Sequence, residues 1–277
     1  MALDLITGLS QIAGRYDALI CDIWGVVHDG RVPHPAAAEA LRQFRRHHGK
    51  VVLLSNAPRT PASVLEQLRG IGVDLDCFDA IVTSGGAVRE KLLGWGKAPA
   101  LYYIGPERDA ALLDGVPHRR TSLEEADVAL CTGLVDDLTQ TPADYSAILA
   151  AMRDRKLPML CANPDLKVYR GPKLCWCAGA LAADYEKLGG AVTWFGKPRA
   201  EIYDVARAAA DHPKKPLAVG DAIRTDLKGA AAAAMEALFI ADGLHGEEIE
   251  PYTQEHLETL FAAEQATAVA AMRALVW

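Results

Sequence analysis

The chain has 277 residues, 51% of them hydrophobic and 23% charged, with a formal net charge of −7. This composition excludes a disordered chain and allows one or two domains with a sizeable core. It argues against a nucleic-acid partner, since no basic block offsets the negative surface. The six cysteines lack recurring CxxC spacing and matching histidines. They argue against a zinc framework and fit a reducing, cytoplasmic setting. The N-terminus carries Asp4 and no basic residue ahead of a modest apolar stretch, unlike a secretory signal. The most apolar late run, 229–241, is interrupted by Glu236 and is too short for a bilayer, so no membrane partner is expected.

In chain order, Leu3, Leu5, Ile6, Leu9 and Ile12 have the spacing of a short amphipathic helix on the outside of a sheet. Tyr16 and the run 18–21 then lead into Asp22 and break at Gly25, the pattern of a short buried strand that delivers a carboxylate to its C-terminal end. A helix is expected over 36–47 with Ala40, Leu41 and Phe44 inward, then a strand over 51–54 ending at Ser55. Asn56 to Arg59 reads as a turn into a helix starting near Pro61, followed by a strand over 80–83 before Ser84-Gly85-Gly86. The pattern restarts near residue 100. Strands are expected at 101–104, 128–131 and 159–162, with helices near 107–114 and 142–155.

A second α/β set that begins before the first has finished implies an inserted domain. Residues 1–85 and 191–277 read as the core domain and 86–190 as the insertion. The chain is expected to return with a strand over 191–195 ending in Gly196-Lys197-Pro198, a helix over 201–210, and a core strand over 217–219 ending at Gly220-Asp221. An Ala-rich helix over 229–237 completes the layer. The fold class is α/β, a Rossmann-like doubly wound parallel sheet with an inserted α/β unit.

Four expected strand ends carry Asp22, Ser55, Lys197 and Asp221, the last followed by Thr225-Asp226. In a parallel sheet these ends share one edge, which brings a nucleophilic carboxylate, a hydroxyl, an ammonium and a second carboxylate to one pocket. Those groups suit phosphoryl transfer. A carboxylate can attack phosphorus to form an aspartyl-phosphate, while Lys197 and a Mg²⁺ held by Asp22 and Asp221 neutralise the gathering charge.

The order Asp22-x-Trp24-Gly25-Val26, Ser55-Asn56, Gly196-Lys197-Pro198 and Gly220-Asp221-x-x-x-Thr225-Asp226 resembles the four motifs of the haloacid dehalogenase superfamily. The insertion between the second and third motifs is similar to the α/β cap of subfamily IIA, the NagD-like phosphatases. The resemblance implies hydrolysis of a small phosphate monoester through an aspartyl-phosphate on Asp22. It implies metal ligation by Asp22, the Trp24 carbonyl and Asp221, with Asp226 holding the metal's waters. Ser55, Asn56 and Lys197 become phosphate-binding groups. A homodimer is a further expectation, since caps in related proteins often dimerise. The leaving alcohol stays open between a sugar, a nucleoside, glycolate and pyridoxal.

One position departs from the pattern. The second residue after the nucleophile is usually an Asp that protonates the leaving oxygen, and here it is Trp24, whose indole cannot shuttle a proton at neutral pH. Three readings follow. His28 or Asp29 substitutes as acid and base; the substrate has a leaving group that needs no acid; or the chain is a phosphate- and Mg²⁺-binding regulatory protein on a phosphatase frame. A C–X hydrolase of dehalogenase type is a fourth, which the retained Asp221 and Asp226 disfavour because that chemistry needs no metal. Within the insertion, Asn163, Asp165, Lys167, Tyr169 and Arg170 form the most polar stretch and read as a substrate-binding loop.

Overall fold

The structure, a computed structural model, describes residues 3–170, 173–243 and 249–277, without the side chains of residues 169 and 170. The chain divides into two compact units. One comprises Met1–Ser55, Val64–Val82 and Lys197–Trp277, and the other Asn56–Ser63 and Thr83–Gly196. The first strands are β1 (Asp4–Leu5), β2 (Ala18–Asp22), β3 (Lys50–Ser55) and β4 (Ala80–Thr83). Then come β5 (Ala100–Ile104), β6 (Arg119–Arg120), β7 (Val128–Cys131), β8 (Met159–Cys161), β9 (Lys167–Arg170), β10 (Lys173–Trp176) and β11 (Val192–Trp194). The chain closes with β12 (Pro216–Gly220), β13 (Glu236–Ile240) and β14 (Ala270–Met272).

The first unit is built on a seven-stranded sheet in the order β1-β14-β13-β12-β2-β3-β4. β2 lies inside it, parallel to β12 on one side and β3 on the other, and all five of its residues are buried. Strands covered on both faces are continuously apolar, and burying Leu19 and Ile20 contributes roughly 1.5–3 kcal/mol each. Asp22 is the exception in that run. The register pairs Asp22 with Leu54 and Cys21 with Val219, so the chain beyond β2, β3 and β12 emerges on one edge as Asp22, Ser55 and Asp221.

The helix Pro35–His47 begins with Pro35, buries Ala40, Leu41 and Phe44, and ends with Arg45, Arg46 and His47. Proline loses nothing where the first N–H is unpaired anyway, and the basic last turn suits the negative end of the dipole.

The second unit holds a parallel sheet in the order β11-β8-β7-β5-β6, with β9 and β10 as a separate antiparallel hairpin. Alternation along its strands sends Val128, Leu130 and Leu160 into one apolar layer with Val88 and Leu92. Ala129, Cys131 and Met159 go into the other, with Leu149, Met152, Leu181 and Tyr185.

Four local expectations are corrected and one unpredicted helix is added. Asp4–Leu5 is a strand pairing with Ala270–Ala271, and the helix is confined to Ser10–Ala13, because edge pairing satisfies backbone groups that so short a helix cannot. Ser84 opens a helix, Ser84–Leu93, capped by the Thr83 side chain, where no element was predicted. Val192–Trp194 pairs with Met159–Cys161, so this strand ends the second sheet instead of rejoining the first. Half of the expected polar loop is the hairpin strand β9, in which Lys167 stands opposite Trp176. The Ala-rich helix ends at Ala232, and Glu236–Ile240 is a strand against β12. Among the described residues, no helix is long and apolar enough to cross a membrane.

Candidate active site

Three carboxylates and one ammonium meet within the first unit. Oxygens of Asp22, Asp221 and Asp226 lie within 4.8 Å of one another, and all three residues are buried. Lys197 Nζ lies 2.6 Å from Asp22 Oδ1 and 2.7 Å from Asp226 Oδ1, with its side chain only 3% exposed.

Each residue arrives by a different local device. Asp22 is the last residue of β2, and Asp221 follows the last residue of β12. Asp226 sits in a single π-type turn, Ile223–Leu227, that continues into the helix Lys228–Ala232. Its own N–H donates to the Ala222 carbonyl, and the Ala222 N–H donates back to Asp226 Oδ2 at 3.2 Å. Widened turns of this kind are uncommon and concentrate where a side chain must be re-aimed. A side chain at Gly220 would run into the Asp226 carboxylate, and one at Gly243 into Asp221, so both positions require glycine for close approach. Lys197 follows β11 of the second sheet by three residues, which corrects the expectation that it ends a strand of the core sheet.

The charges do not balance by themselves. Among the described residues, with every group ionised, these three acids against this lysine leave a surplus of two negative charges in a buried space. Burial pushes the Asp22 carboxyl well above its ordinary range, Asp226 adds to the rise, and Lys197 opposes it. Burial disfavours the charge on Lys197, but the adjacent Asp22 and Asp226 outweigh that and hold it protonated. A divalent cation among the three carboxylates would cancel the surplus and keep Asp22 ionised. The donor set, all carboxylate oxygen, is the kind that hard divalent ions take. The residues therefore fit such an ion.

The loop after β2 is tightly folded. The Trp24 ring meets His28 edge-on at 5.1 Å, and a side chain at Gly30 would strike the indole. The indole N–H is buried without a hydrogen-bond partner among the described residues. His28 is buried, its Nδ1 accepts the Gly30 N–H at 2.7 Å, and burial lowers its pKa to about 4. Asp29 is exposed, and its Oδ1 accepts the N–H groups of Arg31 and Val32 at 2.9 and 2.8 Å. Those two hydrogen bonds lower its pKa further. Both residues are placed as turn formers, and neither carries a proton it would release near neutrality.

Ser55 closes β3, one position beyond the partner of Asp22. Asn56 groups with the second unit, where its amide donates to Asp165 Oδ1 at 2.8 Å. Asn163 Oδ1 accepts the Asp165 N–H at 3.0 Å, an Asx turn, and Lys167 Nζ rests 4.2 Å from the centre of the Trp176 ring. The Arg170 side chain lies outside the described residues.

Sequence reasoning missed Tyr203. It is buried in the helix Ala200–Ala209, and its hydroxyl donates to the Asp226 carbonyl at 3.0 Å, fixing the π turn from behind. It also missed the steric roles of Gly220 and Gly243. Gly220 stood in a recognisable pair with Asp221; nothing in the sequence flagged the other two.

Comparison with known proteins gives the same class. Residues 19–117 match the model of the haloacid dehalogenase-like hydrolases, and residues 194–270 a further HAD-hydrolase-like model. A crystal structure of a haloacid dehalogenase-like family hydrolase from Brucella suis 1330 is 38% identical with a TM-score of 0.88, covering 98% of this chain and 100% of that one. The chain belongs to the haloacid dehalogenase-like hydrolase family.

Its curated relatives are phosphatases of the NagD-like group. The D-glycerol 3-phosphate phosphatase of Mycobacterium tuberculosis is 29% identical over 244 residues, covering 86% of this chain and 66% of that protein. The chain thus spans just under two thirds of that relative's length. The ribonucleotide monophosphatase NagD of Escherichia coli strain K12 is 25% identical over 229 residues, covering 82% of this chain and 88% of that protein. A glycerol phosphate phosphatase from Mycobacterium tuberculosis solved in complex with calcium is 26% identical with a TM-score of 0.64, covering 84% of this chain and 68% of that one.

Proposed function

We propose that this protein hydrolyses a small phosphate monoester with Mg²⁺, through an aspartyl-phosphate on Asp22. The observation that carries the reading is the convergence of Asp22, Asp221 and Asp226 on one point with a single lysine bridging two of them. Such an excess of buried acid suits a cation and a phosphate together and serves little purpose otherwise.

Asp22 is the attacking group. Lys197 orients its carboxylate and adds positive charge for the approaching phosphate. Asp221 and the Trp24 carbonyl complete the metal ligands, while Asp226 holds the metal's waters and fixes Lys197. Ser55 and Asn56 donate to the phosphate oxygens. Bound Mg²⁺ supplies Lewis acidity and neutralises charge as an anionic nucleophile meets an anionic ester. The inserted unit, with Asn163, Asp165, Lys167 and Arg170, is proposed to select the alcohol portion.

The reading of a regulatory phosphate-binding protein stands second, favoured by the loop that carries no proton donor beside Asp22. A panel of phosphate esters assayed with Mg²⁺ and with chelator separates the two. Hydrolysis that needs the metal and is lost in Asp22→Asn supports the enzyme. Binding of Mg²⁺ and phosphate without turnover supports the regulator.

A further inference from the structure

We propose that Trp24 restricts this centre to phosphate compounds whose leaving group departs as an anion without being protonated, namely acyl, enol and aryl phosphates, over esters of ordinary alcohols. The inference rests on the phosphatase reading above and names the substrate class for that site.

An alkoxide is a poor leaving group, and a positioned acid that protonates it typically contributes on the order of 10²–10⁴ in rate. Among the described residues of the loop that directly follows the nucleophile, the side chains that could offer a proton are otherwise engaged. Trp24 offers one N–H that is sealed from solvent, and an indole N–H donates a hydrogen bond but does not transfer its proton. His28 is buried with Nδ1 accepting from the Gly30 N–H, and its ring lies against the indole. Asp29 faces solvent with Oδ1 closing a turn through Arg31 and Val32. Lys197 is committed to Asp22 and Asp226. The packing is also specific for tryptophan, since Gly30 leaves room for the ring where any side chain would collide with it.

The chemistry then runs as follows. An oxygen of Asp22 forms a bond to phosphorus as the bond from phosphorus to the leaving oxygen breaks. The leaving group takes the electron pair and acquires a proton only from bulk water, if at all. In the second step water attacks phosphorus, the electron pair of the Asp22–phosphorus bond returns to the carboxylate, and the water's proton passes to the released phosphate.

The test is kcat/KM, which reports the first step, for a series of ring-substituted phenyl phosphates of graded leaving-group pKa, with acetyl phosphate and glycerol 3-phosphate at the extremes. The series keeps shape nearly constant, so binding differences stay small. The expected result is a steep decline with rising leaving-group pKa and glycerol 3-phosphate at least about 10²-fold below 4-nitrophenyl phosphate. In Trp24→Asp the slope flattens as the alkyl ester gains relative to the aryl esters. The wild-type slope decides the matter even where that variant fails to fold. A flat wild-type series, with the alkyl ester as fast as the aryl ones, overturns the inference and leaves the phosphatase reading standing. Absence of turnover for every member, acetyl phosphate included, overturns the phosphatase reading itself and the inference with it.

Discussion

The two parallel sheets present polar residues at comparable places and use them in opposite ways. In the second unit, polar groups meet groups of complementary character: Arg59 with Asp109, and Tyr103 of β5 with Thr132 just beyond β7. At the edge of the first sheet, Asp22, Asp221 and Asp226 gather with Lys197, which bridges two of them, and among the described residues an excess of negative charge is left buried. Strand geometry brings chemistry-bearing residues to an edge in both cases. The unbalanced charge is what distinguishes a reaction centre from a set of structural contacts, because only an imbalance calls for a ligand.

The largest effect should follow from removing the cation that bridges Asp22 and Asp226. Lys197→Met leaves Asp22 and Asp226 facing each other in a buried space, and should destabilise the metal-free protein by about 3–5 kcal/mol, measured by urea unfolding. Added Mg²⁺ should recover part of that loss. Next comes the acid side of the stability profile. His28 is held at about 4 against an ordinary 6.5, so the unfolded chain binds a proton that the folded chain refuses. Stability is then complete above pH 6.5 and falls as pH drops towards 4, by roughly 3 kcal/mol at most. His28→Gln should lack this limb in thermal unfolding scans.

A smaller effect sharpens the contrast between the sheets. Asp221→Asn should weaken Mg²⁺ binding by about 10–100-fold in calorimetric titration. The same change at Asp165 should leave Mg²⁺ affinity where it was and alter stability by about 1 kcal/mol or less, because an asparagine oxygen can still accept from Asn56. Equal losses of Mg²⁺ affinity in the two variants would erase the distinction drawn between the two edges.

The sequence was most legible where one physical signal dominated. The buried run into Asp22, the helix Pro35–His47 and the pair Gly220-Asp221 were all readable from hydrophobic spacing and breaks. So was the convergence of the four charged residues, although for Lys197 the route was wrong. A three-residue strand such as Val192–Trp194 carries no mark of which sheet it will join, and its neighbour Met159–Cys161 lies far back in the chain. The pairing of β9 with β10 was hidden because Val168, Leu174 and Cys175 are interrupted by Lys167, Arg170 and Lys173 with no clean two-residue alternation. Tyr203 carried no signal beyond its place in the expected helix, and its hydrogen bond to Asp226 depends on a π turn that no local pattern announces.

In the proposed reaction a carboxylate oxygen of Asp22 is the atom that bonds to phosphorus. Rapid acid quench during turnover of 4-nitrophenyl phosphate with Mg²⁺, followed by peptide mass mapping, tests it most directly. One phosphoryl group is expected on the peptide containing Asp22, absent without Mg²⁺ and absent in Asp22→Asn. A phosphoryl group on another residue, or undiminished hydrolysis by Asp22→Asn, would contradict it.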